Sequence, residues 1–361
     1  MNDNNKKIII ATGGTGGHIF PGIGLANYLA NIGFDVLLTA DKRGLKFIDN
    51  TLLKKTKLIN SSPFYKKKII ISFFKILLSI FKSLLILVKN KPKFIFGMGG
   101  YASFPICFAS IILRIPFVIY ENNLLIGKAN KYLTPFAKKI FVSYEDIGGI
   151  NNKYKNKIVT VGNILRENIF NNENKNKDIF DNGLNILVLG GSQAAKIFAE
   201  TLPDIFINCK KNNVNLKIYQ QCLNEQKDEL QKKYEINNIK YELFSFTFDI
   251  LKYYNLSNLA ITRAGSSALA ELLNCKIPII SIPLTSSAEN HQFKNAKYFS
   301  EKGFGFMIEE KNIKIQLFNL LQSIHKDKSV LNSIKTNQKN HSDKNVFTNI
   351  KREITKLFYE N

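Results

Sequence analysis

Residues Ile8 to Gly22 read IIIATGGTGGHIFPG, an apolar run that stops at four glycines and restarts in a helical pattern. The run predicts a buried parallel strand over Lys6 to Ala11, since strands covered on both faces are apolar throughout. The glycines let the backbone turn tightly and approach a ligand, and a helix that starts near His18 would direct free N–H groups toward an anion. The stretch therefore predicts a phosphate-facing loop.

The spacing of this loop excludes two common nucleotide-binding motifs. A Walker A loop ends in Gly-Lys-Ser/Thr, whereas here His18 follows Gly17, and a dinucleotide fingerprint has its third glycine where this chain has Ile19. A glycine-rich turn also occurs where a strand and a helix merely pack together. The remaining chain must decide between a ligand site and plain packing.

The composition narrows the class of partner. The 361 residues are enough for two domains, and the formal net charge of +23 favours nucleic acid, an anionic membrane surface or a phosphorylated substrate. Lysine supplies nearly all of the positive charge. This argues against a nucleic-acid-binding protein, because such proteins rely on bidentate arginine contacts and on aromatic side chains that stack on bases. Where lysine is the default cation, an arginine points to a site that needs planar, bidentate donors. The arginines are Arg43, Arg114, Arg166, Arg263 and Arg352.

The cysteines and the N-terminus indicate the compartment. Cys107, Cys209, Cys222 and Cys275 lie in apolar segments without CxxC spacing, a pattern that predicts free thiols in a reducing environment. The segment MNDNNKK runs directly into the first strand, so we expect no signal peptide. Together these features predict a protein that stays in the cytosol.

Strand-like segments alternate with helical patterns along both halves of the chain. This alternation predicts an α/β protein with two Rossmann-like, doubly wound domains that face each other across a ligand cleft. The polar stretch 171–182, NNENKNKDIFDN, predicts the linker. We place the first domain at residues 1–165, with a C-terminal amphipathic helix at about 345–361, and the second at residues 166–344.

The segment 66–93, KKKIIISFFKILLSIFKSLLILVKNKPK, is apolar enough over about twenty residues to raise the question of a membrane span. Lys75 and Lys82 argue against a span. On a helix the lysines form one narrow stripe, which the serines are expected to join. The members are Lys68, Lys75, Lys82 and Lys89, with Ser72, Ser79 and Ser83. Two interpretations remain open: a buried helix with a thin solvated edge, or an apolar surface whose lysine rim lies in the headgroup region of an anionic leaflet.

The densest polar cluster of the second half is TRAGSS, where a strand ends at Thr262 and Gly265 turns the chain into a helix. We expect the hydroxyls of Ser266 and Ser267 to cap this helix, whose N-terminus could hold a diphosphate. Glu271 follows about a turn and a half later and could accept hydrogen bonds from a ribose. Ordinary capping with a solvated glutamate is the alternative interpretation.

The motifs GGTGGHIFPG, GMGGYASFP, GNILR, GGSQAAK and TRAGSSALAELL, followed by ENHQFKNA, occur in this order along the chain. In order and spacing they resemble the MurG family of GT-B glycosyltransferases, and the resemblance covers essentially the whole chain. It implies the GT-B fold. The chain departs from the family pattern at Tyr120, Asn122 and Ala194, and in the sequence GNILR.

The resemblance implies a hexosyltransferase of peptidoglycan synthesis, and with it a role in cell wall biogenesis, cell shape and cell division. The implied reaction transfers GlcNAc from UDP-GlcNAc to the C4 hydroxyl of MurNAc in lipid I, the undecaprenyl-diphosphate-linked acceptor, with inversion, and gives lipid II. The implied location is the cytoplasmic face of the bacterial inner membrane, as a peripheral protein on an anionic surface. Other proteins of cell-wall synthesis could be further partners.

The resemblance also implies site residues. Acceptor-side contacts come from the first two glycine loops: Thr15, Gly16 and Gly17, which would also lie against the donor sugar, and Gly99, Gly100 and Tyr101. Donor-side contacts are Asn123 and Gln292 for the sugar, Arg166 and Ser192 facing the UDP, and Thr247 for the uracil through its backbone. The diphosphate and ribose segment is Ser266, Ser267, Ala268, Leu269, Ala270 and Glu271.

His18 is the candidate general base for the acceptor hydroxyl, because a neutral imidazole accepts a proton near pH 7. The alternative is that His18 binds backbone or the acceptor phosphate and takes no proton. The sequence has no Asp-x-Asp metal motif, so we expect no metal held by the protein and no other cofactor. Helix N-termini would then stabilise the charge on the departing UDP.

Other functions remain as alternatives. Another GT-B enzyme with a membrane acceptor, such as a diacylglycerol glycosyltransferase, has a similar loop pattern, although the first glycine loop and GMGGY fit the MurG family better. A basic nucleic-acid-binding protein would need an arginine or aromatic cluster on one element, which we do not find, so no nucleic-acid partner is expected. A UDP-sugar-binding protein without activity is the remaining alternative.

Overall fold

The computed structural model describes residues 6–14, 16–48, 50–59, 69–172, 183–191 and 196–359. Internal contacts divide the chain into two units, Met1–Arg166 with Asp343–Asn361 (unit 1) and Glu167–Ser342 (unit 2). Most of the predicted linker lies outside the described residues, as do Thr15, Ser192 and Ala194.

Unit 1 is built on a parallel sheet. Its strands are β1 (Lys7–Ala11), β2 (Asp35–Ala40), β3 (Thr56–Leu58), β4 (Phe94–Gly97), β5 (Phe117–Glu121), β6 (Ile140–Val142) and β7 (Ile158–Thr160). Their order across the sheet is β3-β2-β1-β4-β5-β6-β7, with every pair parallel. The order reverses direction between β1 and β4, and ligands of such sheets bind outside the carboxyl ends of the strands at this switch point.

Unit 2 repeats the pattern. Its strands are β8 (Leu184–Leu189), β9 (Leu216–Gln221), β10 (Lys240–Phe244), β11 (Leu259–Thr262), β12 (Ile279–Ser281) and β13 (Gly305–Met307). The order is β10-β9-β8-β11-β12-β13, again parallel throughout, so the switch point lies between β8 and β11. The two sheets confirm the predicted class, α/β with two doubly wound domains.

The helices cover these sheets. In unit 1 they are α1 (Gly16–Asn31), α2 (Lys42–Leu45), α3 (Asn50–Lys54), α4 (Ile69–Asn90), α5 (Gly100–Ile112) and α6 (Lys128–Leu133). In unit 2 they are α7 (Glu167–Phe170), α8 (Lys196–Lys211), α9 (Asn224–Ile236), α10 (Ile250–Leu256), α11 (Ser266–Asn274), α12 (His291–Glu301), α13 (Ile313–Lys326) and α14 (Ser329–Lys339). The last helix, α15 (Val346–Tyr359), belongs again to unit 1.

The return of α15 to unit 1 is fixed by specific contacts. Asp343, just before the helix, accepts hydrogen bonds from the backbone N and from Nδ2 of Asn163, at 2.8 and 3.1 Å. Phe347 stacks on Tyr28 of α1 with ring centroids 4.7 Å apart. These contacts attach the end of the chain to the first domain.

Apolar runs fix the central strands, while two short strands were not predicted. Ile8, Ile9 and Ile10 are fully buried, as expected for a strand covered by helices on both faces. Strands β3 and β13 lie at sheet edges, and each has only three residues without a fully buried position. An edge strand needs no continuous apolar run, so its sequence carries little signal.

Helix α4 separates the serines of the predicted stripe from its lysines, since Lys75, Lys82 and Lys89 are exposed. Ser72, Ser79 and Ser83 are buried, and the last two donate to the carbonyls four residues earlier, at 2.8 and 2.7 Å. The large apolar side chains are instead 44% to 72% exposed: Ile70, Ile71, Phe73, Phe74, Leu77, Leu78, Phe81, Leu85 and Val88. The alternative of a buried helix with a thin solvated edge is therefore wrong, because the large apolar side chains that it would bury are exposed. We call this set the α4 apolar face.

The cysteines are free and buried, as predicted. Burial raises the pKa of the Cys107 and Cys222 thiols, and raises that of Cys209 to about 12. A thiol with such a pKa stays protonated near neutral pH and is a poor nucleophile. The cysteines therefore act as small apolar core residues.

Candidate active site

The first glycine loop joins β1 to α1 at the switch point of unit 1. The hydroxyl of Thr12 donates a 2.6 Å hydrogen bond to the carbonyl of His18. Gly13 has a φ of +140°, and a Cβ there would lie 2.7 Å from Cβ of Ala102, so only glycine fits. Helix α1 begins at Gly16, earlier than predicted, which places Gly17 and His18 in its first turn.

The ring of His18 lies on the second glycine loop, between β4 and α5. Gly99 and Gly100 have left-handed backbone, with φ of +85° and +69°. A Cβ on Gly99 would lie 3.2 Å from Cε1 of His18, and one on Gly100 would lie 3.0 Å from Cδ2. His18 is half-buried with Nδ1 shielded from solvent, and Tyr101 is 38% exposed in the first turn of α5. The structure thus brings the candidate base next to two predicted acceptor-side glycines.

The loop after β5 joins the same site. Nδ2 of Asn122 donates a 2.9 Å hydrogen bond to the carbonyl of Gly17, which ties this loop to the first glycine loop. The buried carboxylate of Glu121 accepts from the backbone N and Nδ2 of Asn123 and from the backbone N of Gly127. Asn123, which was predicted to contact the sugar, is thereby held in this group of loops.

Tyr120, where the chain departs from the family pattern, has a structural side chain. Its hydroxyl lies 2.8 Å from Oγ of Ser143 and accepts a 3.0 Å hydrogen bond from the backbone N of Ile164. Burial raises the pKa of this phenol. The side chain therefore supports the sheet and the chain leading to the second unit.

Sequence reasoning missed a carboxylate that holds the first glycine loop. Asp41, directly after β2, accepts hydrogen bonds from the backbone N of Gly14 and of Gly44, at 2.8 and 3.0 Å. Arg43 donates to its other oxygen through Nε and Nη2, at 2.9 and 2.8 Å. Burial raises the pKa of Asp41, but these hydrogen bonds and the arginine charge outweigh burial, so the pKa lies below its usual value. The N–H of Gly14 is thus bound by a carboxylate of the protein itself.

Asp41 could have been found from its position. It follows β2, the neighbour of β1, so it lies at the same edge of the sheet as the first glycine loop.

Arg166, predicted to face the UDP, is also at this end of unit 1. Its guanidinium carbon lies 5.6 Å from the ring centroid of Phe20 in α1, a cation–π arrangement.

In unit 2, the start of α11 corrects the predicted capping. The N-cap residue is Gly265, so Ser266 and Ser267 are the first two helical residues and do not cap the helix. An N-cap glycine has no side chain with which to satisfy the first-turn N–H groups. Apart from the residues next to it in the chain, no described atom lies within 4 Å of a Cβ placed on Gly265, so there is open space beside this N-cap.

Glu271 is held by a residue that the sequence did not indicate. The hydroxyl of Tyr254 in α10 donates a 2.7 Å hydrogen bond to Oε2 of Glu271, and both residues are buried. The predicted alternative of a solvated glutamate is therefore wrong. The other described members of the segment, Ala268, Leu269 and Ala270, form the body of the helix, and Leu269 and Ala270 are fully buried.

Helix α12 braces the loops around α11. Nδ2 of Asn295 donates to the carbonyl of Ala264 at 3.1 Å, next to the N-cap of α11. Oε1 of Gln292 accepts a 2.9 Å hydrogen bond from the backbone N of Leu284, which leaves the amide nitrogen as the donor end of this side chain. Glu289 and Asn290 both have left-handed backbone just before the helix, a strained arrangement typical of functional sites.

Thr247 lies in the loop between β10 and α10. Its Oγ1 accepts a 3.1 Å hydrogen bond from the backbone N of Asp249, which shapes the loop. Phe246 and Phe248 on either side are exposed, at 41% and 61%. The backbone of Thr247, which was predicted to read the uracil, is thus held in a local turn.

The acidic groups of the site are engaged by protein donors. Asp41 and Glu121 in unit 1 accept backbone N–H groups, and Glu271 in unit 2 accepts a phenol. Within the described ranges, no group of three or more His, Cys, Asp or Glu side chains is placed to hold a metal ion.

The chain matches two domains of one glycosyltransferase family. Residues 8–142 match the glycosyltransferase family 28 N-terminal domain, and residues 185–354 match the glycosyltransferase family 28 C-terminal domain. The first match covers most of the sheet of unit 1, and the second covers the sheet of unit 2 and extends into α15.

Relatives match most or nearly all of the chain. A UDP-N-acetylglucosamine--N-acetylmuramyl-(pentapeptide) pyrophosphoryl-undecaprenol N-acetylglucosamine transferase of Pelagibacter ubique is 37% identical over 99% of this chain and 100% of its own length. A protein of the same name from Rickettsia canadensis is 38% identical over 85% of this chain and 87% of its own. The crystal structure of Acinetobacter baumannii MurG superposes with a TM-score of 0.76, at 26% identity, over 97% of this chain and 99% of that one.

Proposed function

The chain belongs to glycosyltransferase family 28 and, within it, to the MurG family, and we propose that it transfers GlcNAc from UDP-GlcNAc to lipid I. The observation that carries this proposal is the position of His18, which lies on Gly99 and Gly100 at the switch point of unit 1. The product would be lipid II, a precursor of peptidoglycan.

The reaction is a displacement at the anomeric carbon of GlcNAc. The C4 hydroxyl oxygen of MurNAc forms a bond to this carbon while the bond to the β-phosphate oxygen of UDP breaks, and the configuration inverts. The electron pair of the broken bond leaves with UDP, and the proton of the hydroxyl passes to a base. The N-terminus of α11 suits the negative charge on the leaving diphosphate, because its first-turn N–H groups and dipole favour an anion.

Unit 2 would bind the donor. Glu271 would accept hydrogen bonds from the ribose, and the Gln292 amide would donate to hydroxyls of GlcNAc. Thr247 would read the uracil through its backbone, and Ser192 would face the UDP. Arg166, the last residue of the first segment of unit 1, would also face the UDP. The hydrogen bonds to Glu271 and Gln292 support these roles, since they hold both side chains in one orientation.

Unit 1 would bind the acceptor through both glycine loops. The contacting residues would be Thr15, Gly16, Gly17, Gly99, Gly100 and Tyr101, with Asn123 near the reacting sugars. His18 would take the proton through Nε2, because Nδ1 is shielded. The alternative, in which His18 binds a phosphate and takes no proton, predicts a change in acceptor affinity instead of turnover.

The test is a transfer assay with labelled UDP-GlcNAc and a lipid I analogue, with diacylglycerol as a second acceptor. We expect the disaccharide on the lipid I analogue alone. Product on diacylglycerol, and none on lipid I, would replace this function with that of a lipid glycosyltransferase.

In His18→Ala and His18→Gln, turnover should fall about 100-fold if His18 is the base, while affinity for UDP-GlcNAc stays the same. Near-normal turnover would remove the base assignment.

We further propose that the protein lies on the cytoplasmic face of the inner membrane through the α4 apolar face. The 70–90 stretch of α4 is long and apolar enough to cross a membrane by length and composition alone, and 22% of its most apolar part is buried. Lys75, Lys82 and Lys89 are exposed on the same helix. An exposed apolar face on a helix that also carries exposed lysines suits the headgroup region of an anionic leaflet.

Liposome flotation tests this membrane association. The protein should bind vesicles that contain anionic lipid more strongly than neutral vesicles, and Lys75→Glu with Lys82→Glu should weaken that binding. The matched control is Lys155→Glu with Lys240→Glu, which makes the same charge change at exposed positions elsewhere. Equal binding by the two double variants would contradict the proposed surface.

A further inference from the structure

Arg43 lies beside the first glycine loop, on a turn that packs tightly against it. The turn runs from Asp41 to Gly44 after β2, and a Cβ on Gly44 would lie 3.1 Å from Cα of Gly13. A Cβ on Gly14 would lie 3.7 Å from Nη2 of Arg43. The guanidinium group is therefore held next to the loop that unit 1 would present to the acceptor.

Asp41 fixes the orientation of this guanidinium. Nε and Nη2 of Arg43 both donate to Oδ2 of Asp41, at 2.9 and 2.8 Å, and the Asp41 side chain is only 4% exposed. A guanidinium is a rigid planar fork, so this contact uses one of its edges and leaves the edge formed by Nη1 and Nη2. Nη1 has no hydrogen-bond partner among the residues that the structure describes, and the Arg43 side chain is 51% exposed. The second edge is therefore accessible to a ligand.

Asp41 also leaves positive charge available at this edge. Its other oxygen, Oδ1, already accepts two backbone N–H groups, at 2.8 and 3.0 Å, so the charge of the carboxylate is shared among several donors. Lys42 and Lys46, on either side of Arg43 in the sequence, are exposed and add positive charge to the same short segment. In a chain whose usual cation is lysine, an arginine at this place favours an anion that can accept two parallel hydrogen bonds.

From this geometry we propose that Arg43 is a specificity-determining residue for the acceptor, and that its Nη1–Nη2 edge binds the acceptor diphosphate. The proposal rests on the proposed function, which supplies an acceptor whose diphosphate is bonded to the same sugar ring as the reacting hydroxyl. The peptide carboxylates of lipid I also match a guanidinium edge, but they lie on a flexible chain and not on that ring. A neutral acceptor such as diacylglycerol offers this edge no anion, so Arg43 selects against it.

The test uses soluble prenyl phosphates, so that it does not depend on sugar transfer. Full-length protein is titrated calorimetrically with geranyl diphosphate, geranyl monophosphate and geraniol, with UDP present to fill the donor site. We expect the diphosphate to bind about tenfold more tightly than the monophosphate, and geraniol to bind least, because charge-assisted bidentate hydrogen bonds are the strong ones. Equal binding of the diphosphate and geraniol would overturn the site.

Arg43→Gln is the informative variant, because it removes the planar cation while Asp41 keeps its two backbone donors. Affinity for geranyl diphosphate should fall about tenfold, and the KM for a lipid I analogue should rise by about the same factor, while the KM for UDP-GlcNAc stays the same. The matched control is Arg352→Gln, since Arg352 also pairs with a carboxylate, that of Glu353 at 3.4 Å, and its side chain is 62% exposed. Equal affinities of the two variants for geranyl diphosphate would overturn the proposal.

Arg43→Lys separates ligand binding from support of Asp41. It keeps a positive charge beside the carboxylate but lacks the second edge, so its melting temperature should equal that of the wild type while its affinity for geranyl diphosphate falls at least about threefold. Wild-type affinity in Arg43→Lys would overturn the bidentate contact.

This site and the proposed function can fail separately. A wild-type protein that transfers no sugar to lipid I, but binds geranyl diphosphate through Arg43, would lose the proposed function and keep the site. A raised KM for lipid I in Arg43→Gln with unchanged binding of geranyl diphosphate would overturn the diphosphate assignment in favour of a peptide carboxylate. Loss of geranyl diphosphate binding when UDP is added would place this ligand in the donor site and overturn the proposal as well.

Discussion

The hydroxyl of Tyr254 donates a 2.7 Å hydrogen bond to Oε2 of Glu271, and this bond joins α10 to α11 beneath the open N-terminus of α11. Tyr254→Phe removes the donor and little else. From the proposed role of Glu271 at the ribose, we expect the KM for UDP-GlcNAc to rise about fivefold with kcat nearly unchanged, because such a contact is made equally in the ground and transition states.

The control for this variant is Tyr241→Phe. Tyr241 donates a hydrogen bond of similar length, 2.8 Å, to Glu235 on the surface of unit 2. The KM of the Tyr241→Phe enzyme for UDP-GlcNAc should equal that of the wild type. A Tyr254→Phe enzyme with unaltered KM would show that Glu271 does not need this partner.

Gly100→Ala should remove activity through His18. A Cβ at Gly100 would lie 3.0 Å from Cδ2 of His18, in backbone with φ of +69°. The imidazole must shift, and if His18 is the base as proposed, its misplacement should cost about 100-fold in kcat.

Strain alone can be separated from this contact with Gly33→Ala. Gly33 also has positive φ, +91°, but no atom among the described residues lies within 4 Å of a Cβ placed there. This variant should lose about 1 kcal/mol of stability and keep its kcat. Similar kcat values for the two variants would contradict a role for the His18 contact.

Asp41→Asn should destabilise unit 1 in a pH-dependent way. The folded pKa of Asp41 lies below its ordinary value of 3.8, so its contribution is complete above that value and is lost as the pH falls through the folded pKa. Chemical denaturation should show a loss of about 1 to 3 kcal/mol in the free energy of unfolding at pH 7. The difference from the wild type should shrink below about pH 4.

Asp35→Asn is the matched control for Asp41. Asp35 also pairs with a cation, Lys7 at 3.3 Å, but its side chain is 54% exposed. Exposed ion pairs contribute at most about 1 kcal/mol, so this variant should change stability little at either pH. A pH-independent loss in Asp41→Asn would mean that shape and not charge makes the contribution.

The burial of serines and exposure of large apolar side chains in α4 predict opposite outcomes for two neighbouring substitutions. Ser83 is fully buried, so Ser83→Leu should overpack the contact with its neighbours and cost about 1 to 3 kcal/mol. Phe81 is 60% exposed, so Phe81→Ser should change the free energy of unfolding by no more than about 0.5 kcal/mol. Destabilisation by Phe81→Ser and tolerance of Ser83→Leu would restore the alternative of a buried helix with a thin solvated edge.

The sequence was sufficient for the central strands, since runs such as Ile8 to Ala11 are apolar at every position. It was insufficient where the usual link between polarity and exposure fails. In α4 the serines face inward and the phenylalanines outward, and no periodicity distinguishes this arrangement from its reverse. Edge strands such as β3 were missed because exposed positions place few demands on sequence.

The site shows the same limit. The glycine loops can be recognised in the sequence, because Gly13, Gly99 and Gly100 have a backbone conformation or a close contact that other residues do not tolerate. Asp41 and Tyr254 cannot be recognised in this way, since each contacts the site from a distant part of the chain. Their roles depend on the order of strands and helices in space, which a pattern along one segment does not contain. The roles of Thr247 and Gln292 remain predictions.

The burial of every cysteine has a practical consequence for measuring how this protein meets a bilayer. Alkylating reagents attack accessible thiolates, and Cys107, Cys209, Cys222 and Cys275 are all buried. A new thiol at an exposed position such as Val88→Cys would therefore react selectively, without replacement of the native residues. A nitroxide attached there would report immersion depth along α4 through its accessibility to oxygen.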